Sequence, residues 1–122
     1  MKISIISASH RLNSQSKKVS DSLHNKLLNS SSKIEIFILD LANEALPLWS
    51  SDKKKGNGVW KETWSSISKN LDSSDGFILV VPEYGGMATP AAKNIFLLCC
   101  NGEFAHKPGL IVSVSSGNGG SY

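Results

Sequence analysis

The chain has 122 residues, 40% of them hydrophobic and 19% charged, with a formal charge of +3. That describes one domain, residues 1–122, large enough to bury about 65% of its unfolded surface without disulfide or metal staples. The charge is too small and scattered for a nucleic-acid binder, and no stretch approaches the roughly 20 apolar residues of a membrane span.

Met1 to Ser7 is mostly apolar and reads as a central parallel strand, with Ile3 to Ile6 at its heart. Ser/His/Arg follow at once, so the start does not carry the long apolar stretch of a signal peptide, and a cytoplasmic protein is expected. Ser14 or Ser16 can cap a helix running to about Ser30, with Val19, Leu23 and Leu27 as its buried stripe. Lys33 to Leu39 reads as the second strand. Asp40 to Gly58 is a long connection, packed at Leu46-Pro47-Leu48, in which Lys53-Lys54-Lys55 reads as a solvated loop.

Trp60, Trp64, Ile67 and Leu71 recur at spacings of four, three and four, which predicts a helix over about Val59–Leu71 with these residues in the core. Phe77 to Val81 is the third strand. Pro90 suits the first turn of a helix reaching about Cys100, with Ile95, Phe96, Leu98 and Cys99 inward and Asn101-Gly102 closing it. Leu110 to Val114 is the fourth strand. The order βαβαβαβ implies a parallel, doubly wound α/β sheet with right-handed crossovers. Adjacent Cys99 and Cys100 read as two reduced thiols, since a disulfide between neighbours is strained.

Ligands of such sheets bind at the carboxyl ends of the strands, and three segments fall there. Ser7 to Ser16 offers hydroxyls, Arg11 and a helix N-terminus, a combination that suits a phosphate. It lacks the glycine signatures of nucleoside-triphosphate and dinucleotide loops, which favours a monophosphate. Pro82 to Gly86 and Ser115 to Gly120 are glycine-rich and nearly uncharged, so their backbone can approach and donate to a planar heterocycle. A monophosphate joined to a planar heterocycle describes a mononucleotide, and FMN fits best. His10, His24 and His106 have no metal-ligand spacing, with each other or with the cysteines, so no metal is expected.

The pattern resembles the NADPH-dependent FMN reductase family of the flavodoxin-like fold, over essentially the whole chain. Ala8-Ser9-His10-Arg11-Leu12-Asn13-Ser14 matches that family's Gly-Ser-x-Arg-x-x-Ser except at Ala8. Pro82-Glu83-Tyr84-Gly85-Gly86, then Pro90 and Ala92-Lys93-Asn94, matches its Pro-Glu-Tyr-Asn-Gly signature except at Gly85. Asp40-Leu41 with Leu46-Pro47-Leu48, His106-Lys107-Pro108 and the stretch Ser115 to Gly120 are similar to three further segments.

The resemblance implies FMN held by Ser9, Arg11, Ser14, Gln15, Ser16, Pro82, Glu83, Tyr84, Gly85, Ser115, Ser116 and Gly117, with no side-chain acid or base. It implies hydride transfer from NAD(P)H as co-substrate, through FMN, to a small-molecule acceptor: a quinone, flavin, azo compound or metal oxyanion. It also implies a homodimer or homotetramer. The family continues past the third loop with a helix, a fifth strand and usually a last helix, so the expected sheet is a three-layer α/β/α of order 2-1-3-4 with that fifth strand missing. Two rival readings are a flavodoxin-type electron carrier, which is usually acidic, and a truncated family member acting without catalysis as a structural or interaction protein.

Overall fold

The computed structural model describes residues 1–117. The strands are β1 (Lys2–Ser7), β2 (Glu35–Asp40), β3 (Gly76–Tyr84), β4 (Met87–Ala88) and β5 (Gly109–Val114). The helices are α1 (Gln15–Ser30), α2 (Ser65–Asp72) and α3 (Pro90–Leu98). Four strands run parallel in the order β2-β1-β3-β5, the flavodoxin-like arrangement, with the two-residue β4 folded antiparallel onto the end of β3. The registers Ser7↔Asp40, Ser7↔Val80 and Pro82↔Val114 put all four carboxyl ends on one edge. β3 runs past β1 there, so its last residues project from the sheet.

The two faces are covered unequally. Ile6, Phe77, Leu79 and Val81 pack under Trp60, Trp64, Ile67 and Leu71 and under Ala92, Ile95 and Leu98. The tryptophan face reads as expected, although Trp60–Trp64 forms a π-helical turn leading into α2. Among the described residues, the other face carries only α1. Val19, Leu23 and Leu27 are therefore half-buried rather than a sealed stripe, and the fully buried residues of α1 are Ser16 and Ser20. Small side chains one turn apart let α1 lie close to the strands, and Ser20 Oγ donates to the Ser16 carbonyl at 2.8 Å.

Other boundaries differ from the sequence reading. β2 starts at Glu35, two residues after Lys33. α3 stops at Leu98, with Cys99 as its cap, so both cysteines lie past the helix. Phe96 does not point inward but is 54% exposed, as is Leu97 at 57%. A helix apolar on successive residues gives no period by which to choose its buried face. Leu48 is exposed as well; Asn94 fixes the connection instead, donating to the Pro47 carbonyl (3.0 Å) and accepting from the Trp49 amide (2.8 Å). β5 pairs with β3 alone among the described residues, and Leu110 and Ile111 are exposed on it.

The turn before β5 closes α2. Lys107 Nζ donates to the carbonyls of Leu71 (3.3 Å), Asp72 (2.5 Å) and Glu103 (2.9 Å), placing a cation at the last carbonyls and negative dipole end of the helix. Glu103 is buried and accepts from Ser68 Oγ (2.8 Å) and the Asn101 amide (2.9 Å). Lys107→Met keeps the apolar stem and removes the donors. It should lower unfolding free energy by about 1–2 kcal/mol for these partly exposed charged hydrogen bonds; an unchanged urea midpoint would contradict this capping role.

The two thiols sit in opposite environments. Cys99 is buried, and burial first, the Glu103 carboxylate second, push its thiol far above the usual range; Cys100 is exposed. Thiolate is the reactive form. A disulfide reagent at pH 8 should therefore modify Cys100 quickly and Cys99 only after unfolding, so the C100S variant should be nearly silent in its native state. Rapid labelling of native C100S would show that Cys99 is accessible.

Candidate functional site

β1 ends in a buried run, Ser7-Ala8-Ser9, before the chain turns outward at His10. Asn13 takes a left-handed φ of 55°, a conformation asparagine tolerates better than most residues. Ser14 then caps α1, its Oγ accepting from the Lys17 amide at 3.0 Å. That leaves the N–H groups of Gln15 and Ser16, in the first turn, without an intrahelical acceptor. Gln15 is exposed. Ser7 Oγ and Ser16 Oγ are buried and have no hydrogen-bond partner among the described residues. Buried hydroxyls are almost always satisfied, so two orphans near a helix N-terminus mark a place with capacity for an anion. Arg11 is exposed, and its guanidinium makes no hydrogen bond or ion pair to any described residue; its amide donates to Ser9 Oγ at 3.1 Å. The donor set fits a phosphate: hydroxyls, first-turn amides and a free guanidinium.

The second segment has a different shape from the one expected. Pro82, Glu83 and Tyr84 belong to β3 rather than to a turn, and the turn proper is only Gly85-Gly86, between Tyr84 and Met87. With φ of 60° and 78°, the two glycines form the left-handed pair that a two-residue hairpin requires. A Cβ built on either meets nothing within 4 Å, so the turn faces open space that a ring could occupy. Glu83 has a structural duty there, its carboxylate accepting from the Gly86 amide across the turn.

The third segment lies only partly within the described residues. Ser115 is half-buried, Ser116 and Gly117 are exposed, and Ser115 Oγ accepts from the Gly117 amide at 3.0 Å. The remainder, Asn118 to Gly120, falls outside them.

Contacts across the edge join the first two segments. Ser9 Oγ and Tyr84 Oη share a hydrogen bond of 3.1 Å. Thr89, fully buried, caps α3 by accepting from the Ala92 amide (3.1 Å) and donates to the Ala8 carbonyl (2.6 Å). His10 Nε2 accepts from the Ala91 amide at 3.0 Å. Thr89 and His10 went unassigned in the sequence: Thr89 precedes Pro90, where an N-cap belongs, but a partner 81 positions away leaves no local signal.

A cavity of about 300 Å³ lies between the hairpin, α3 and β5. Pro82, Glu83 and Gly86 line it together with Met87, Phe96 and Ile111. Arg11, Ser14 and Ser16 do not line this cavity, so the candidate anion site is separate from it. Among the described residues, no cluster of three histidine, cysteine or acidic side chains could hold a metal, and no helix is long and apolar enough to cross a membrane.

Fold and strand order together define a flavodoxin-like α/β domain. Residues 1–122 match the family described as NADPH-dependent FMN reductase, and the chain belongs to that family. An NADPH azoreductase from Bacillus sp. (strain OY1-2) is 30% identical over 83 residues, covering 68% of this chain and 45% of its own length. An NADH:FMN oxidoreductase in apo form superposes with a TM-score of 0.78 at 18% identity, over 98% of this chain and 60% of the other. The flavoenzyme NAD(P)H:(acceptor) oxidoreductase FerB from Paracoccus denitrificans gives 0.69 at 19% identity, over 91% and 59%. The chain thus spans about half to three fifths of these relatives.

The hairpin generates its own test. Gly85→Asn should fold normally, because asparagine accepts the left-handed turn, whereas Gly85→Val should lose about 1–2 kcal/mol to backbone strain. Glu83→Gln keeps an acceptor for the Gly86 amide and should be milder than Glu83→Ala. Equal melting temperatures for the Val and Asn variants would show that the turn is not held in this conformation.

Proposed function

We propose that this chain is the flavin-binding portion of an FMN-dependent NAD(P)H oxidoreductase, which passes reducing equivalents to a small-molecule acceptor such as a quinone, flavin, azo compound or metal oxyanion. The observation that carries the reading is the first loop. There, two orphaned buried hydroxyls, the first-turn amides of α1 and the unpaired Arg11 guanidinium gather on the edge that also bears the hairpin. Family membership supports FMN as the anion's source, and the azoreductase relative supports the oxidoreductase class.

In this reading Ser9, Arg11, Ser14, Gln15 and Ser16 hold the phosphate. Pro82 to Gly85, with Ser115, Ser116 and Gly117, place the ring through main-chain groups. When bound, FMN supplies hydride acceptance from the nicotinamide and onward transfer; the protein's part is position and electrostatics. Neither loop needs to supply a proton donor of its own. Assembly as a homodimer or homotetramer belongs to the same proposal.

Purified protein should bind FMN, and NADPH oxidation in the presence of a quinone should require it. Arg11→Ala should weaken FMN by roughly 1.5–3 kcal/mol, the scale of a charge-assisted hydrogen bond, with little change in melting temperature. A wild-type chain that binds FMN with the same dissociation constant as the Arg11 variant would remove the guanidinium from the phosphate site. A chain that neither binds FMN nor oxidises NADPH would favour a non-catalytic role.

A further inference from the structure

We infer that His10 is a positioning residue: it locks the phosphate loop to the helix that follows the hairpin, so that the two candidate subsites meet a ligand at a fixed separation. The inference rests on the proposed FMN reading for its ligand and on the following geometry for its substance. The hairpin is continuous with α3: β4 ends at Ala88, Thr89 is the cap and Pro90 the first helical residue. Three amides open that helix's first turn. Proline has no N–H, and the Ala92 N–H is taken by Thr89 Oγ1. The Ala91 N–H is the one left over, and the His10 side chain takes it, across 81 positions of sequence. His10 immediately precedes Arg11 and follows Ser9, whose hydroxyl reaches Tyr84 on the hairpin. The imidazole also lies beside the Tyr84 ring, with centroids 6.2 Å apart. Loop and hairpin are thus cross-linked by side chains on both sides of the turn to α3.

Two consequences follow from chemistry. An Nε2 that accepts carries no proton, so this bond requires the Nδ1–H tautomer of His10. Positioning also differs from binding. A ligand touching one subsite gains nothing from the lock, whereas a ligand spanning both gains the ordering that the lock has already supplied. Losing His10 should therefore weaken FMN but not riboflavin, which lacks the phosphate. Gln can place an acceptor near the position of Nε2, so His10→Gln should restore much of what His10→Ala removes.

The test combines flavin fluorescence titrations with amide and imidazole NMR on the intact chain. His10→Ala should raise the FMN dissociation constant about three- to tenfold, the scale of one hydrogen bond, and leave riboflavin within twofold; His10→Gln should lie near wild type. Equal losses for FMN and riboflavin, no loss for either, or a Gln variant as weak as Ala would overturn the assignment. In the ligand-free protein, wild-type imidazole nitrogen shifts should report the Nδ1–H tautomer, and His10→Ala should shift amides in both Ser9–Asn13 and Glu83–Thr89. Shifts confined to the neighbours of positions 10 and 91 would overturn the lock even if no flavin binds. A wild-type chain that binds no FMN but shows the shifts at both loops would overturn the functional reading alone.

Discussion

The buried hydroxyl of Thr89 is the constraint from which the candidate site is built. It donates to the Ala8 carbonyl, just past the end of β1, and accepts from the Ala92 amide, in the first turn of α3. Both groups would otherwise be unpaired inside the protein, where an unmade hydrogen bond costs about 1–3 kcal/mol. One side chain therefore fixes where the first loop leaves the sheet and where the helix after the hairpin begins. The Ala8 amide donates to the Val80 carbonyl, so the same corner also sets how far β3 projects beyond β1. Above it, Ser9–Tyr84 and His10–Ala91 tie the outer parts of the two loops to each other.

From that corner the two layers diverge. On one face, two tryptophans, Ile67, Leu71 and the inner side of α3 make a dry core around Leu79 and Val81. On the other, α1 approaches closely through Ser16 and Ser20. Its close seat carries the first-turn amides and the Ser16 hydroxyl to the end of β1. A helix held off by large side chains would not bring these groups as near. Toward β5, Phe96, Leu110 and Ile111 remain exposed around two cavities, in a chain that spans about three fifths of its structural neighbours.

Much of this was legible in the residues. Continuous apolar runs identified the four parallel strands, the 4-3-4 spacing from Trp60 to Leu71 identified the core face of α2, and Ser14 and Pro90 marked helix starts by their capping chemistry. The misreadings have local causes. Pro82 suggested the end of a strand, because proline cannot donate to a ladder; yet β1 stops pairing at Val80, so the residues of β3 beyond it have no strand on that side to donate to. Phe96 reads as inward in the sequence but faces outward, since the run Ile95 to Leu98 is apolar on successive residues and gives no period to choose a side. Thr89, His10 and Lys107 make contacts over separations of 35 to 81 residues, which single-sequence patterns do not encode.

In the proposed function, loops from separate strands form one FMN site. Titrating labelled protein with FMN and following backbone amide shifts tests it directly. Saturable shifts are expected at Ser9 to Lys17, at Glu83 to Thr89 and at Ser115 to Gly117, all with one dissociation constant. Shifts at one loop alone, different constants for different loops, or no saturation would contradict it.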